Sequence, residues 1–262
     1  MEATAPGNNR TGAALIPKQV DLMLQAVEEL SPPMPINTLQ IDMERQSYIR
    51  DAEGVGSIPP PKGRGEKGSA SSAKAIRQSV FLDKLGERIA FERAGARLYD
   101  ALISKYLALS NAGQEALPPI AILQDGSGSG GDAAAIALQT LQHIRAEELS
   151  HFRMLCECMR QLGGDPTAQT PCADTTATAS MGLLQVLTDP RTTLAQCLNA
   201  ILTAELTDNA GWELLAELAE QQGRTELTDP FEQAHQAEQR HLQIVRGWLS
   251  SLLSDQAGTT AV

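Results

Sequence analysis

The chain has 262 residues, of which 42% are hydrophobic and 3% aromatic, so it can bury the core of one large domain or two small ones. Its formal net charge of -11 argues against a basic surface for nucleic acid or an anionic membrane, and it suits a protein that attracts cations. No apolar run is long enough to span a membrane, and the first residues lack the pattern of a secretory signal. We therefore expect a cytoplasmic protein with no nucleic-acid or membrane partner.

Residues 1–75 differ in composition from the rest of the chain. A short amphipathic helix is predicted from Pro17 to Leu30, whereas the segment 54–74 is too rich in Pro, Gly and Ser to form a packed core. We interpret residues 1–75 as an N-terminal arm and flexible linker. Residues 254–262 are expected to be a disordered tail, which leaves residues 76–253 for one domain.

Four long helices are predicted from Val80 onward, because apolar residues recur there with alternating spacings of three and four. The second helix is expected to end at Gly163 and Gly164, since glycine is a frequent C-terminal stop. Residues 164 to about 191 then form a long crossover between helices 2 and 3. The composition, rich in Ala, Leu, Gln and Glu, and this order of elements predict an all-α four-helix bundle.

Each predicted helix places one glutamate among its inward apolar positions, and two of these glutamates begin a Glu-x-x-His pair. The six residues are Glu92, Glu148, His151, Glu205, Glu238 and His241. A carboxylate that faces a core costs several kcal/mol unless it is paired or binds a metal, and a His one turn from its Glu reaches the same side of the helix. The ordered set is the ligand list of a di-iron or di-manganese site inside a four-helix bundle.

A third Glu-x-x-His pair, Glu232 with His235, is set aside by the symmetry of the helical hairpin. Residues at equal height are equidistant from the turn, and the midpoint of Glu205 and Glu238 falls at 221 to 222, beside Gly223. Pairing Glu205 with Glu232 would instead place the turn inside helix 3. The first hairpin passes the same test, because the midpoint of its two inward glutamates is residue 120, in the first loop.

Two further residues are expected next to the ligands. Tyr99 lies two turns beyond Glu92 on the same face, where it either hydrogen-bonds a ligand carboxylate or packs in the core. Asp208 lies one turn after Glu205. It is interpreted as an extra ligand, as the acceptor for a ligand His N–H, or as a surface residue.

Three other positions are weaker candidates. Glu147 is displaced by about 100° around the helix from Glu148, toward the flank of the predicted bundle. His143 points away from the inward face and is expected to be solvated. Trp212 stands in the second half where Tyr99 stands in the first, but its N–H can only donate, so core filling is its expected role.

The inward residues and their surroundings resemble the rubrerythrin branch of the ferritin-like superfamily over residues of about 80 to 250. The stretch QGRTELTDPFEQAHQAEQRH is similar to that family's last hairpin turn and fourth helix. The matching places are Gly223, Thr225, Glu226, Phe231, Glu238 and His241. AFERAGARLY, in which Tyr99 follows Glu92 by seven residues, is similar to the family's first helix.

The resemblance implies a di-iron centre that reacts with dioxygen or hydrogen peroxide. Glu92 and Glu205 would then be carboxylates that shift between terminal and bridging modes. Glu148 and Glu238 would be bridging ligands, and the two histidines would be nitrogen donors. The chain has no rubredoxin domain, so electrons would come from an external donor or from Fe(II) itself. Asp208 stands where peroxidase-type members carry a further Glu.

The expected function is therefore that of a di-iron oxidoreductase, with ferroxidase activity as its most economical form and a homo-oligomer as its expected assembly. Manganese remains an alternative to iron, because both accept this mixed oxygen and nitrogen shell. The other readings are an iron storage or delivery protein, an oxygenase that acts on a small organic substrate, and a purely structural bundle.

Overall fold

The structure is a computed structural model that describes residues 17–31, 37–52, 73–123 and 133–258. Residues 54–72 of the predicted linker and residues 259–262 of the predicted tail lie outside the described residues. The chain divides into two compact units, residues 1–54 and 55–262.

The described residues of the first unit form two short helices. Helix α1 (Pro17–Leu30) coincides with the amphipathic helix predicted from the sequence. Helix α2 (Leu39–Asp51) was not predicted; it has Asp42 in its first turn and Arg50 in its last, an arrangement that favours a helix through its dipole. Neither helix buries a residue completely.

Where the structure describes the second unit, it has four long helices and two short ones. They are α3 (Ala73–Asn111), α4 (Ala133–Gln161), α5 (Pro171–Ala179), α6 (Met181–Thr188), α7 (Leu194–Gln221) and α8 (Thr225–Gln256), with a 3-10 turn at Ala121–Leu123. No strand occurs in the part of the chain that the structure describes. The predicted all-α bundle with a long crossover is confirmed. Helix α8 continues through residues 254–256, so the predicted tail is helical there.

Glycines end α4 and α7 as the sequence predicted. Gly163 has φ of 80° and Gly223 has φ of 66°, the left-handed conformation that glycine adopts without steric cost. Arg224 N donates a 2.9 Å hydrogen bond to the carbonyl of Ala219, which closes the turn between α7 and α8. The turn therefore lies where the hairpin symmetry placed it.

The crossover contains α5 and α6, which the sequence did not reveal. Both helices pack against α3, and α6 also packs against α7. Two hydrogen bonds join the start of the crossover to α3. The Thr170 hydroxyl donates to the Asp83 carbonyl at 3.1 Å, and Cys172 N donates to the Asp83 carboxylate at 2.8 Å. These helices therefore cover the α3 and α7 side of the bundle.

The bundle has two apolar core clusters with a polar layer between them. The first includes Tyr99, Leu102, Ile201 and Trp248; the second includes Phe81, Leu155, Trp212 and Phe231. Hydrogen bonds reach the polar layer from one member of each cluster, Tyr99 and Trp212. Among the described residues, no helix is long and apolar enough to cross a membrane.

Candidate metal centre

The structure brings the six predicted ligand residues together in this polar layer. Their exposed fractions are 0% for Glu92, 1% for Glu148, 8% for His151, 2% for Glu205, 0% for Glu238 and 1% for His241. They come from all four long helices, α3, α4, α7 and α8. The off-face pair lies elsewhere on α8, where Glu232 is exposed and His235 contacts Gln239.

Two overlapping groups of ligand atoms lie within this cluster. Glu92, His151 and Glu238 form one group, and Glu148, Glu205, Glu238 and His241 form the other. In each group the ligand atoms lie within 4.8 Å of one another. Since Glu238 belongs to both groups, the arrangement suits two ions that share one carboxylate.

Glu238 stands between the two histidines. Its Oε1 lies 2.7 Å from Nδ1 of His151, and its Oε2 lies 2.9 Å from Nδ1 of His241. The same His241 atom is 3.4 Å from Oε1 of Glu148, and the same His151 atom is 3.5 Å from Oε2 of Glu92. Both imidazoles therefore present Nδ1 to the carboxylates.

Several buried atoms of the cluster have no hydrogen-bond partner among the described residues. They are the carboxylate oxygens Glu92 Oε2, Glu148 Oε2 and Glu205 Oε2. A buried polar atom without a partner costs about 1–3 kcal/mol, so such atoms are rarely left in one place without a reason. A divalent cation accepts electron pairs from both carboxylate oxygen and imidazole nitrogen. The residues present therefore fit a metal.

Outer contacts hold the other ends of these ligands. The Tyr99 hydroxyl donates to Oε1 of Glu205, and Trp212 Nε1 donates to Oε1 of Glu92 at 2.7 Å. Of the two roles expected for Tyr99, the structure shows the hydrogen bond to a carboxylate. Trp212 was expected to fill the core; it is buried, but it is also a hydrogen-bond donor to the cluster.

Glu147 lies on the far side of His241 rather than inside the cluster. Its Oε2 is 2.9 Å from Nε2 of His241, while its Oε1 accepts a 3.1 Å hydrogen bond from Arg240. A carboxylate at the second ring nitrogen fixes the tautomer and orientation of an imidazole ligand. His143 is exposed, as expected, and its Nε2 lies 3.4 Å from Oε2 of Glu147.

Asp208 is buried, with an exposed fraction of 3%, and its partner is Arg88. The Arg88 Nη2 donates to Oδ1 of Asp208 and lies 3.4 Å from Oε1 of Glu92. Of the three interpretations of Asp208, the surface position is therefore excluded, and its acceptor role is directed to Arg88 rather than to a histidine. Sequence reasoning missed Arg88, although its position four residues before Glu92 places both on one helix face.

Two glycines also escaped the sequence analysis. A Cβ at Gly95 would lie 2.9 Å from Cδ of Glu148, and a Cβ at Gly211 would lie 2.8 Å from Cζ of Arg88. Both separations are too short for a side chain. The small residues therefore give space to a ligand carboxylate and to the buried guanidinium.

Asn209 joins the two ligand-bearing helices of the second hairpin. Its Nδ2 donates to the carbonyl of Glu205 at 2.9 Å and to the carbonyl of Glu238 at 3.1 Å. The amide thus holds the backbones of α7 and α8 together at the level of the cluster.

Burial and mutual repulsion shift the protonation of the carboxylates. Burial, with the nearby Glu238, raises the pKa of Glu205 to about 8 and raises that of Glu148 well above its ordinary value. Burial alone would also raise the pKa of Glu238, but contacts with His151 and His241 lower it to about 2. Glu238 is therefore the ionised carboxylate that faces both histidines.

The pKa values of His151 and His241 are raised, although burial alone would lower them. Burial alone lowers a histidine pKa, but the carboxylates of Glu238 and Glu92 raise that of His151 to about 10. The pKa of His241 is also raised, against burial, by Glu147, Glu148 and Glu238. Without metal, protons on the imidazoles therefore balance much of the negative charge.

A surface pocket of about 300 Å³ leads toward the cluster on the α4 and α8 side. Its lining includes His143, Glu147, Arg240 and His241 together with apolar side chains such as Ile136. The pocket therefore ends at the ring of a candidate ligand, on the side where α4 and α8 meet.

Residues 138–253 match the family model of the Ferritin-like domain. The match covers just under half of the chain, from α4 to the end of the bundle, and it includes five of the six candidate ligands. It supports the ferritin-like superfamily, and the buried carboxylate and histidine cluster is compatible with a di-iron protein. No curated protein and no solved structure matches the chain significantly.

Proposed function

We propose that the six clustered residues bind two iron ions and that the chain is a rubrerythrin-like di-iron oxidoreductase, with ferroxidase activity as its principal reaction. The observation that carries this proposal is the set of buried ligand atoms without hydrogen-bond partners among the described residues. They belong to Glu92, Glu148 and Glu205, on three of the four helices that supply the cluster.

The proposed reaction takes Fe(II) and dioxygen as substrates. Two Fe(II) ions each lose one electron, and dioxygen gains two electrons and two protons to give hydrogen peroxide. Iron supplies the one-electron steps, because a mixed carboxylate and histidine shell accepts both oxidation states. The anionic chain, with its net charge of -11, favours the approach of a cationic substrate.

The protein's own residues position the ligands and hold protons. Glu238 directs one oxygen toward each histidine, so it is the proposed shared ligand. Glu147 orients His241 through Nε2, which leaves Nδ1 for the metal. Burial and the Glu205 carboxylate raise the pKa of Tyr99 well above its ordinary value. The phenol therefore stays protonated, and its O–H donates a hydrogen bond to Oε1 of Glu205.

Specific observations bear on the alternative functions. The pocket beside His241 is lined by both apolar and charged side chains, which favours an oxygenase for a small organic substrate as the second candidate. Reduction of peroxide would need an external electron donor. Iron storage would be favoured by a large hollow homo-oligomer, and manganese is the alternative metal.

The first experiment is metal analysis of protein purified from iron-containing medium, followed by anaerobic Fe(II) titration and exposure to oxygen. We expect two iron ions per chain, stoichiometric oxygen consumption and a new absorption band. The variant Glu238→Gln should abolish all three results. Glu232→Gln is the matched control, because it makes the same change in the off-face Glu-x-x-His pair on the same helix.

Further measurements separate the alternatives. Absence of bound metal, or equal iron binding in Glu238→Gln and wild type, would disprove the site. Large hollow particles in light scattering would favour storage, and turnover of peroxide with an external reductant would favour peroxidase activity. Manganese in place of iron in the purified protein would change the proposed cofactor.

A further inference from the structure

Arg88 is a buried cation beside the candidate metal centre. Its exposed fraction is 2%, and its guanidinium lies 4.5 Å from the centroid of the Phe91 ring. Its Nη2 donates to Asp208 and lies 3.4 Å from Oε1 of Glu92. The proposed reaction assigns no role to this guanidinium.

The carboxylates next to Arg88 form a third group of candidate ligands. Glu92, Glu148, Asp208 and Glu238 offer oxygen atoms that lie within 4.8 Å of one another, and all four side chains are buried. An all-oxygen set of this kind suits a hard divalent cation. The guanidinium already contacts two members of the group, Glu92 and Asp208.

We propose that Arg88 is a built-in cation that fills a third cation position, prevents Asp208 from binding metal and limits the centre to two ions. The inference rests on the proposed function, because it requires the six-residue cluster to bind two ions. Arg88 is a positioning residue in this scheme, since it acts through Asp208 and Glu92.

The same contacts restrict the way in which Glu92 binds metal. Oε1 of Glu92 accepts a 2.7 Å hydrogen bond from Trp212 and contacts Arg88, whereas Oε2 has no hydrogen-bond partner among the described residues. Only Oε2 is therefore available as a ligand atom. This differs from the expectation, drawn from the family resemblance, that Glu92 shifts between binding modes.

The fold makes room for the guanidinium at this position. Any Cβ at residue 211 would lie 2.8 Å from Cζ of Arg88, so only Gly211 allows the side chain to lie against α7. Asp208, one turn earlier on α7, supplies the opposite charge. The space left by Gly211, a counter-ion and a contact with a ligand carboxylate thus coincide at Arg88.

The test counts bound metal ions by native mass spectrometry and by titration with Zn²⁺. We expect two ions in the wild type and three in Arg88→Gln, because loss of the cation frees the Asp208 carboxylate. The double variant Arg88→Gln/Asp208→Asn should return to two ions. Arg88→Lys should also bind two, because it retains a positive charge.

A second variant decides the question even if Arg88→Gln does not fold. Asp208→Asn keeps an oxygen acceptor for Arg88, and it should still bind two Zn²⁺ ions. Binding of fewer than two ions would show that Asp208 is a ligand and would overturn the inference.

Spectroscopy with Co²⁺ reports whether Asp208 joins the ligands. Visible absorption by Co²⁺ weakens when the number of ligands rises, so Arg88→Gln should absorb less per ion than wild type, and Arg88→Lys should restore the wild-type intensity. If wild type binds two ions and folded Arg88→Gln also binds two with the same spectrum, the inference about Arg88 fails and the proposed function stands. If wild type binds none, the proposed function fails with it.

Discussion

The indole Nε1 of Trp212 donates a 2.7 Å hydrogen bond to Oε1 of Glu92, which lies 120 positions earlier in the chain. Both side chains are buried, with exposed fractions of 0%. The contact joins α7 to α3 and leaves Oε2 of Glu92 as the oxygen that faces His151. An apolar core cluster and the polar layer thus meet at one hydrogen bond.

Replacement of Trp212 by Phe should weaken metal binding roughly tenfold or more, the usual effect of losing an outer contact to a ligand. The ring volume is largely kept, but Glu92 loses its donor. Zn²⁺ titration of the purified variants measures the change. Trp248→Phe is the matched control, because Trp248 is equally buried in the other cluster and its Nε1 has no hydrogen-bond partner among the described residues. Equal affinity in the two variants would contradict the prediction.

Replacement of Gly95 by Ala should displace the Glu148 carboxylate, because the new Cβ would lie 2.9 Å from its Cδ. We expect a loss of about 1–3 kcal/mol in the free energy of unfolding, as for other overpacked cores, together with weaker metal binding. Denaturant unfolding of the metal-free protein and a metal titration measure the two effects.

The control for Gly95→Ala is Gly182→Ala in α6. No described atom lies within 4 Å of a Cβ at Gly182, so this change should stabilise the protein by up to about 1 kcal/mol through helix propensity. Stabilisation by both substitutions would show that Glu148 does not need the space at Gly95.

Replacement of Glu147 by Gln should lower metal affinity by about 10- to 100-fold, because the carboxylate that orients His241 through Nε2 is lost. The pKa of Glu147 is lowered by its hydrogen bond to His241, so the wild-type side chain is ionised at neutral pH. Glu157→Gln, an exposed change on the same helix, is the control. Unchanged affinity in Glu147→Gln would exclude the orienting role.

The metal-free protein should lose stability as the pH rises from about 5 to about 9. The pKa of Glu205 is raised in the folded protein from 4.5 to about 8, so ionisation opposes folding increasingly above pH 4.5. The pKa of His151 is raised from 6.5 to about 10; its stabilisation is complete below pH 6.5 and is lost toward pH 10. Thermal unfolding with a chelator at pH 5, 7 and 9 tests the sign.

The stabilisation that Zn²⁺ gives to the folded protein should increase with pH, in contrast to the stability of the metal-free protein. Metal binding displaces protons from the ligands and is therefore favoured by higher pH. We therefore expect the increase in melting temperature on adding metal to be larger at pH 8 than at pH 6. Proton release on Zn²⁺ addition in weakly buffered solution is the direct measurement. Metal affinity that does not vary with pH would contradict the assigned protonation states.

The four bundle helices and the level of the six candidate ligands could be predicted from the sequence because both depend on local regularities. Helical periodicity determines which glutamates face inward. The glycine-terminated turn then determines the register of Glu205 against Glu238, and the structure has Gly223 in the left-handed conformation that this turn needs. Each step uses residues that are near in sequence or symmetric about a turn.

The tertiary structure alone decided the surroundings of those ligands. Arg88 meets Asp208, and Glu92 meets Trp212, across 120 residues of chain, and no periodic pattern specifies which donor will lie against which oxygen. Gly95 and Gly211 have a role only because side chains from other helices need their space. Packing between α3, α4 and α7 therefore determines which ligand oxygens remain free, whereas helix periodicity determines which residues are there to supply them.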